Sequence, residues 1–235
     1  MDDFITDLYS ALKGVGKEYV QYKDFKGLQE GVAIRNQKNL SQELEKEHVD
    51  NFLLTYLENQ KETKEKTLEA VFCYELYHKW KQIIHSQSNR YKDLVLNGEI
   101  GKMNLLKIIK NYEQFKTSDL YSEIQPLNIL EQGHFFPDFT LHGGNNDTKS
   151  QKLIVELKTN EKINASNFKI DFYRLAIFQK LYGFLNVVFI IINIKVKDLI
   201  ELLEHVNLNL VDKERFYFML KTSDNDYCFK LDDLK

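Results

Sequence analysis

Three charged residues stand inside apolar segments of the sequence, and their types suit metal-assisted hydrolysis. Asp138 lies in the run FFPDF (135–139), and Glu156 and Lys158 lie in the run LIVELK (153–158). A charge placed within a segment built for burial is costly unless it is paired or bound to a counter-ion. These three positions therefore mark a candidate site.

Alternation along a strand predicts how these side chains meet. Glu156 and Lys158 are two residues apart and share one face of a strand, opposite the apolar Val155. If Asp138 shares the Glu156 face, two carboxylates and one ammonium converge. Carboxylates held close repel each other unless a cation lies between them, and hard oxygen ligands suit Mg²⁺ or Mn²⁺. A neighbouring lysine orients an attacking water or neutralises charge developing on a phosphate, so the residues predict metal-assisted phosphodiester hydrolysis. The alternative interpretation is a same-face ion pair between Glu156 and Lys158 on a half-exposed strand.

The elements that must position these residues are two neighbouring strands. Residues 134–142 and 152–159 read as strands, and the polar tip beginning at Gly143-Gly144 joins them as a hairpin. Proline is confined to edge strands or bulges, so Pro137 predicts a local distortion beside Asp138.

Helical periodicity predicts two long helices, over 67–85 with Thr67 as N-cap and over 164–184 with Asn164 or Ser166 as N-cap. Further elements are predicted from shorter apolar patterns. They are a strand over 92–101, a buried strand over 186–194, a helix over 196–208, a hairpin over 215–231, and helices around Leu8 and Leu12 and over 41–60. The order predicts an α/β fold with a mixed central β-sheet flanked by helices. We expect an N-terminal helical extension over residues 1–65 and one domain over residues 66–235.

Glu75 falls within the apolar side of the 67–85 helix, close to Leu68. One interpretation is an i,i+4 pair with Lys79 at the rim of the helix. The other is an acid that points into the site.

The order Pro137-Asp138 followed by Glu156-Leu157-Lys158 at the end of an apolar strand resembles the PD-(D/E)xK nuclease superfamily, which has the restriction-endonuclease-like fold. The resemblance covers roughly residues 66–195, in the core order helix, three strands, helix, strand. It implies that Asp138, Glu156 and the carbonyl of Leu157 bind a catalytic Mg²⁺ or Mn²⁺. It also implies that Lys158 acts on the attacking water and that hydrolysis leaves a 5′-phosphate.

The resemblance implies accessory residues as well. Glu75 matches the acid that many members supply from the helix before the sheet. Asp171 or Gln179 matches a polar residue from the helix after the second motif strand, and Glu99 borders the site. His134 and His142 flank the Asp138 strand as single histidines. His78 and His85 lie seven residues apart on one helix without a third ligand at useful spacing, so we assign no zinc.

The charge distribution bears on the substrate. The formal net charge is −3, so a nucleic acid must be held by a local basic patch. Residues 78–116 hold eight Lys or Arg against three acids, although a solvated helical surface would look the same. DNA is the expected partner, with RNA less favoured. The predicted nucleic-acid contacts are Lys79, Lys81, Arg90, Lys92, Lys102, Lys169 and Arg174.

Other functions are left open by the sequence. A catalytically inactive module of the same fold would bind nucleic acid or a partner protein, and a scaffold would assemble through residues 1–60. A homodimer is also left open. Two distant cysteines without a CxxC motif, and an apolar run at 186–194 too short to span a bilayer, favour a cytoplasmic protein without a membrane partner. By analogy alone, the role is expected in restriction or anti-phage defence.

Overall fold

The computed structural model describes residues 2–20, 64–98, 112–131, 137–143, 150–159 and 163–234. The helices within these ranges are α1 (Asp3–Gly14), α2 (Lys64–Ser86), α3 (Tyr112–Lys116), α4 (Asp119–Ile124), α5 (Ala165–Tyr182) and α6 (Val196–Leu203). The strands are β1 (Val95–Gly98), β2 (Phe139–His142), β3 (Gln151–Thr159), β4 (Asn186–Ile192), β5 (Phe216–Lys221) and β6 (Asp226–Lys230). Short 3-10 helices occupy Lys17–Tyr19, Gln125–Leu127, Leu208–Leu210 and Leu231–Asp233.

The six strands form one mixed sheet in the order β1-β2-β3-β4-β5-β6. The central strands β3, β4 and β5 run parallel, and the outer pairs are antiparallel. Parallel strands need cover on both faces, and all seven residues of β4 are buried. The predicted α/β class, with a mixed sheet flanked by helices, is confirmed.

Two apolar layers sandwich the sheet. On one face, α5 packs Phe168 and Phe172 against Phe189 of β4 and Phe218 of β5. On the other face, α1 and α2 pack against the odd-numbered residues of β3 and the even-numbered residues of β4. Helix α5 begins after Asn164, whose Oδ1 accepts a hydrogen bond from the Asn167 N–H at 2.9 Å. Asn164 is therefore the N-cap, and it is one of the two caps predicted from the sequence.

Helix α1 belongs to the same apolar layer as α2. Ile5, Leu8 and Leu12 are fully buried there, and Asp7 accepts hydrogen bonds at the end of α2. Residues 2–20 therefore share a core with the sheet, although they fall in the predicted N-terminal extension. The helix predicted over 41–60 lies outside the described residues.

Several predicted boundaries differ from the structure. Helix α2 begins at Lys64, so Thr67 is inside the helix and is not its N-cap. Strand β2 begins at Phe139, after Pro137, and it lies between β1 and β3 rather than at an edge. The irregularity in its register falls between Leu141 and His142, not beside Asp138. Helix α6 ends at Leu203, because the chain turns into the 3-10 helix at Leu208–Leu210. Among the described residues, no helix is both long and apolar enough to cross a membrane.

Candidate functional site

The end of β3 extends beyond its neighbour β2. The paired register of these strands stops at Phe139 and Val155, so Glu156 to Thr159 continue past β2. Asp138 stands at this end of β2, and its Oδ2 accepts a hydrogen bond from the Leu157 N–H at 2.6 Å. The carboxylate of Asp138 thus replaces a strand partner and is fixed against β3.

Glu156 and Lys158 share the face of β3 that α5 covers. Their partners in β4 are Phe189 and Ile191, which belong to the apolar layer under α5. Lys158 Nζ donates a hydrogen bond to Glu156 Oε1 at 2.7 Å, and Glu156 is only 3% exposed. The same-face ion pair considered from the sequence is therefore present, but it is buried rather than half-exposed.

Two more carboxylates approach the Lys158 ammonium. Asp171 Oδ2, from α5, is 3.9 Å from Lys158 Nζ, and Glu69 Oε1, from α2, is 4.0 Å away. Arg174 lies one turn beyond Asp171 and donates to Asp171 Oδ1 at 3.0 Å. The cluster of Glu69, Asp138, Glu156, Lys158, Asp171 and Arg174, called the β3 cluster below, holds four carboxylates and two cations.

Burial dominates the protonation behaviour of Glu156. Loss of hydration raises the pKa of Glu156 well above its ordinary value, and the nearby Asp138 and Asp171 carboxylates raise it further. The Lys158 ammonium opposes this rise. The carboxyl of Glu156 therefore gains from any further positive charge that enters the cluster.

Lys158 is held in its charged form. Burial alone would lower the pKa of Lys158, but the carboxylates of Glu156, Asp171, Asp138 and Glu69 outweigh it and raise that pKa well above its ordinary value. Lys158 therefore serves the cluster as a cation and a hydrogen-bond donor.

The oxygen atoms of the β3 cluster fit a hard divalent cation. Glu156 Oε2 is buried and has no hydrogen-bond partner among the described residues. The N–H and C=O of one strand residue point to the same side, so the Leu157 carbonyl faces the side of β3 where Asp138 binds. No group of three His, Cys, Asp or Glu side chains suited to a metal occurs in the described part of the chain. A cation here would therefore take two carboxylates, a backbone carbonyl and water, as Mg²⁺ commonly does.

Glu69 is an acid of α2 that reaches this cluster. Glu75 pairs with Lys79 at 3.4 Å, which is the i,i+4 contact considered from the sequence. Glu75 lies six positions after Glu69 in the helix, so the two side chains point about 120° apart and are shifted about 9 Å along the axis. Sequence reasoning missed Glu69, although it begins the i, i+3, i+4, i+7 series that continues with the buried Phe72, Cys73 and Leu76.

The other predicted residues of α5 divide between two locations. Asp171 joins the β3 cluster. Gln179 lies about 12 Å further along the helix, and its amide binds both the backbone N–H and the carbonyl of Asp212. Gln179 therefore fastens α5 to the loop before β5.

The predicted nucleic-acid contacts also divide. Arg174 belongs to the β3 cluster, whereas Arg90 pairs with the buried Asp7 of α1 at 2.7 Å. Lys169 lies 3.6 Å from Glu123, and Lys81 stacks over the Tyr77 ring. Lys92 is exposed just before β1. Glu99, Lys102 and His134 lie outside the described residues, and the buried His142 contacts Asn97 at 2.7 Å.

Comparisons with protein-family models, with curated proteins and with solved structures gave no match to this chain. Membership in the nuclease superfamily that the sequence resembles therefore stays a prediction. The function is inferred from the geometry of the β3 cluster.

Proposed function

We propose that the protein is a Mg²⁺-dependent nuclease of the PD-(D/E)xK type that hydrolyses phosphodiester bonds in DNA. The observation that carries the proposal is the charge of the β3 cluster, in which four carboxylates face two cations around a buried Glu156. With all four carboxylates ionised, the cluster carries a formal charge of −2 in a site largely shielded from water, and one divalent cation would compensate this charge. Mn²⁺ would bind the same oxygen atoms.

The proposed fold is the restriction-endonuclease-like core. Its support is the chain order α2, β1, β2, β3, α5 and β4, with α3 and α4 between β1 and β2, and the placement of Asp138, directly before β2, against the strand β3 that carries Glu156. In this arrangement the apolar layers on both sheet faces hold the strands rigid, so the charged groups at the end of β3 keep their spacing.

The residues of the site have different roles in the proposed reaction. The carboxylates of Asp138 and Glu156 and the carbonyl of Leu157 would hold the ion. When bound, Mg²⁺ supplies Lewis acidity that lowers the pKa of a coordinated water and neutralises phosphate oxygens. The surrounding carboxylates raise the pKa of Lys158 and favour its charged form, and in this proposal Lys158 donates a hydrogen bond to the attacking water or to the phosphate.

The substrate assignment rests on local charge. Arg174 is about one-fifth exposed beside the cluster, where a phosphate that reaches the metal would meet a guanidinium. Contacts of this kind bind the backbone without reading sequence. DNA is proposed as the substrate, and RNA is the less favoured one.

One observation favours a second function, a non-catalytic module that binds nucleic acid or a partner protein. Lys158 pairs with Glu156 at 2.7 Å and Leu157 N–H binds Asp138, so the chain itself supplies partners for three groups of the site. Calorimetry with Mg²⁺ and Mn²⁺ separates the two functions. Binding that is lost in the Asp138→Asn/Glu156→Gln double variant supports the enzyme, and absence of binding supports the module.

The proposed activity is tested by incubating the protein with plasmid DNA, linear duplex DNA, single-stranded DNA and RNA, with Mg²⁺ and with EDTA. The proposal predicts DNA cleavage that requires Mg²⁺. Nicking of the circular plasmid identifies an endonuclease, and degradation of linear DNA alone identifies an exonuclease. Intact substrates in every Mg²⁺ reaction would contradict the proposal.

A further inference from the structure

The Lys158 ammonium lies among three carboxylates and is closely paired with one. It is 2.7 Å from Glu156 Oε1, 3.9 Å from Asp171 Oδ2 and 4.0 Å from Glu69 Oε1. Glu156 binds Lys158 through Oε1, and this bond takes up part of the negative charge that the second oxygen, Oε2, would offer to a metal ion. Glu156 therefore binds a cation more strongly when the ammonium has another anion within reach.

Asp171 is better placed than Glu69 to be that anion. The Asp171 side chain is 6% exposed and the Glu69 side chain 20%, so the charge of Asp171 is less screened by water. Arg174 holds Asp171 Oδ1 at 3.0 Å, while the other oxygen, Oδ2, faces Lys158. The carboxylate is thus fixed in an orientation suited to receive the ammonium.

Asp171 lies on a part of α5 that is packed firmly against the sheet. Its neighbour on α5, Phe172, is fully buried, and one turn earlier Phe168 stacks on Phe189 of β4 with ring centroids 5.4 Å apart. Phe189 is the β4 partner of Glu156. The separation between Glu156 and Asp171 is therefore set by the packing of α5 on the sheet, and the flexible lysine side chain is the part that can move.

We propose that Asp171 is a positioning residue that takes over the Lys158 ammonium when Glu156 turns its carboxylate to a divalent cation. The inference rests on the proposed role of Glu156 in binding that cation. A movement of little more than one ångström brings Lys158 Nζ from its present 3.9 Å to hydrogen-bond distance of Asp171 Oδ2. Lys158 stays charged and within the cluster throughout, and Arg174 keeps Asp171 in place.

The test is a double-mutant cycle on Mn²⁺ affinity, measured by calorimetry with the full chain. Asp171→Asn keeps the size of the side chain and an oxygen for Arg174 but removes the charge that receives Lys158. We expect Asp171→Asn to raise the Mn²⁺ Kd about tenfold when Lys158 is present. In a Lys158→Met background, where nothing competes for Glu156, the same change is expected to alter the Kd less than about twofold.

An equal loss of affinity in both backgrounds would overturn the inference, since Asp171 would then act on the ion or on the fold directly. Unchanged affinity of Asp171→Asn in the presence of Lys158 would overturn it as well. Asp171→Glu keeps the charge and is expected to bind Mn²⁺ more tightly than Asp171→Asn. The exposed Asp198→Asn makes the same change in net charge and is expected to leave the Kd unchanged.

Three further results each have a defined consequence. If Asp171→Asn does not fold, Asp171→Ser gives the same comparison with a smaller side chain. If the unaltered protein binds no Mn²⁺, the proposed function and this inference both fail. If it binds Mn²⁺ and the cycle shows no coupling between Asp171 and Lys158, only this inference fails.

Discussion

The Asp138 carboxylate accepts a hydrogen bond from the Leu157 N–H at 2.6 Å, and this bond links the acid before β2 to the strand that carries Glu156 and Lys158. Asp138 therefore has a structural role through this hydrogen bond, in addition to its proposed chemical role as a metal ligand. Asp138→Asn keeps an oxygen that accepts from Leu157, whereas Asp138→Ala leaves the N–H without that partner.

We expect Asp138→Asn to abolish Mg²⁺-dependent cleavage with little change in the free energy of unfolding. Asp138→Ala is expected to abolish cleavage and also to lower the free energy of unfolding by about 1–3 kcal/mol, the usual cost of a buried group left unpaired. Urea denaturation and a cleavage assay of both variants check this. Full activity in Asp138→Asn would show that the carboxylate charge has no part in the reaction.

The acid of α2 gives a second prediction. Because Glu69 is 4.0 Å from Lys158 and Glu75 pairs with Lys79, Glu69→Gln is expected to reduce the Mg²⁺-dependent rate about tenfold, within the range for residues that support metal ligands. Glu75→Gln removes the i,i+4 pair with Lys79 and is expected to reduce the rate less than Glu69→Gln does. A larger loss of activity in Glu75→Gln than in Glu69→Gln would return the role of helix acid to Glu75.

The raised pKa of Glu156 makes stability depend on pH. The folded protein holds the Glu156 proton more tightly than the unfolded chain, so stability from this group is complete below the ordinary pKa of 4.5 and is lost as pH rises through the raised value. In EDTA, the free energy of unfolding of the unaltered protein is therefore expected to fall with pH relative to Glu156→Gln. Denaturant titrations between about pH 5 and 8 measure this difference.

The exposed Glu201→Gln on α6 provides the control, since it changes the net charge equally. A constant difference between the unaltered protein and Glu156→Gln across that pH range would show that Glu156 does not titrate as its burial requires. Added Mg²⁺ is expected to reduce the loss of stability at the high end of the range, because a bound cation favours the ionised carboxylate.

The attachment of α1 yields a prediction on stability. Asp7 is 6% exposed and accepts hydrogen bonds from Arg90, Tyr91 and Gln87 at 2.7, 2.9 and 3.2 Å. Asp7→Ala is expected to lower the free energy of unfolding by about 2 kcal/mol, because it leaves these donors unpaired while Arg90 keeps some access to water. Asp3→Ala, which removes an exposed partner of the same Arg90, is expected to cost about 0.5 kcal/mol or less. Equal effects of the two changes would contradict the placement of α1.

The regular elements of the fold were predictable because their patterns are local. The alternation of side chains between the two faces of a strand predicts β3. Helix α5 is bounded by Asn164 at its start and by Gly183, with φ 71°, at its end. The same local signals placed Asp138, Glu156 and Lys158 at one site, and the structure brings these three together.

The accessory residues were harder to predict because they depend on where β2 stops. The sequence run 134–142 suggested a strand through Asp138, but pairing ends at Phe139, and Asp138 then binds Leu157 beside the free end of β3. Glu69 is the acid that α2 brings to this end, and it belongs to a helical turn that sequence reasoning did not connect with the site. Likewise, the local sequence pattern does not indicate that Arg90 binds Asp7, which belongs to a helix more than eighty residues earlier in the chain.

In the proposed mechanism, Glu156 acts in a metal site that hydrolyses DNA. The most direct measurement is the Mg²⁺-dependent rate of DNA cleavage by the unaltered protein and by Glu156→Gln, purified in parallel and shown to be folded. We expect cleavage by the unaltered protein that EDTA abolishes, and a rate for Glu156→Gln that is indistinguishable from the EDTA reaction. Equal Mg²⁺-dependent rates for the two proteins, or no cleavage by either, would contradict it.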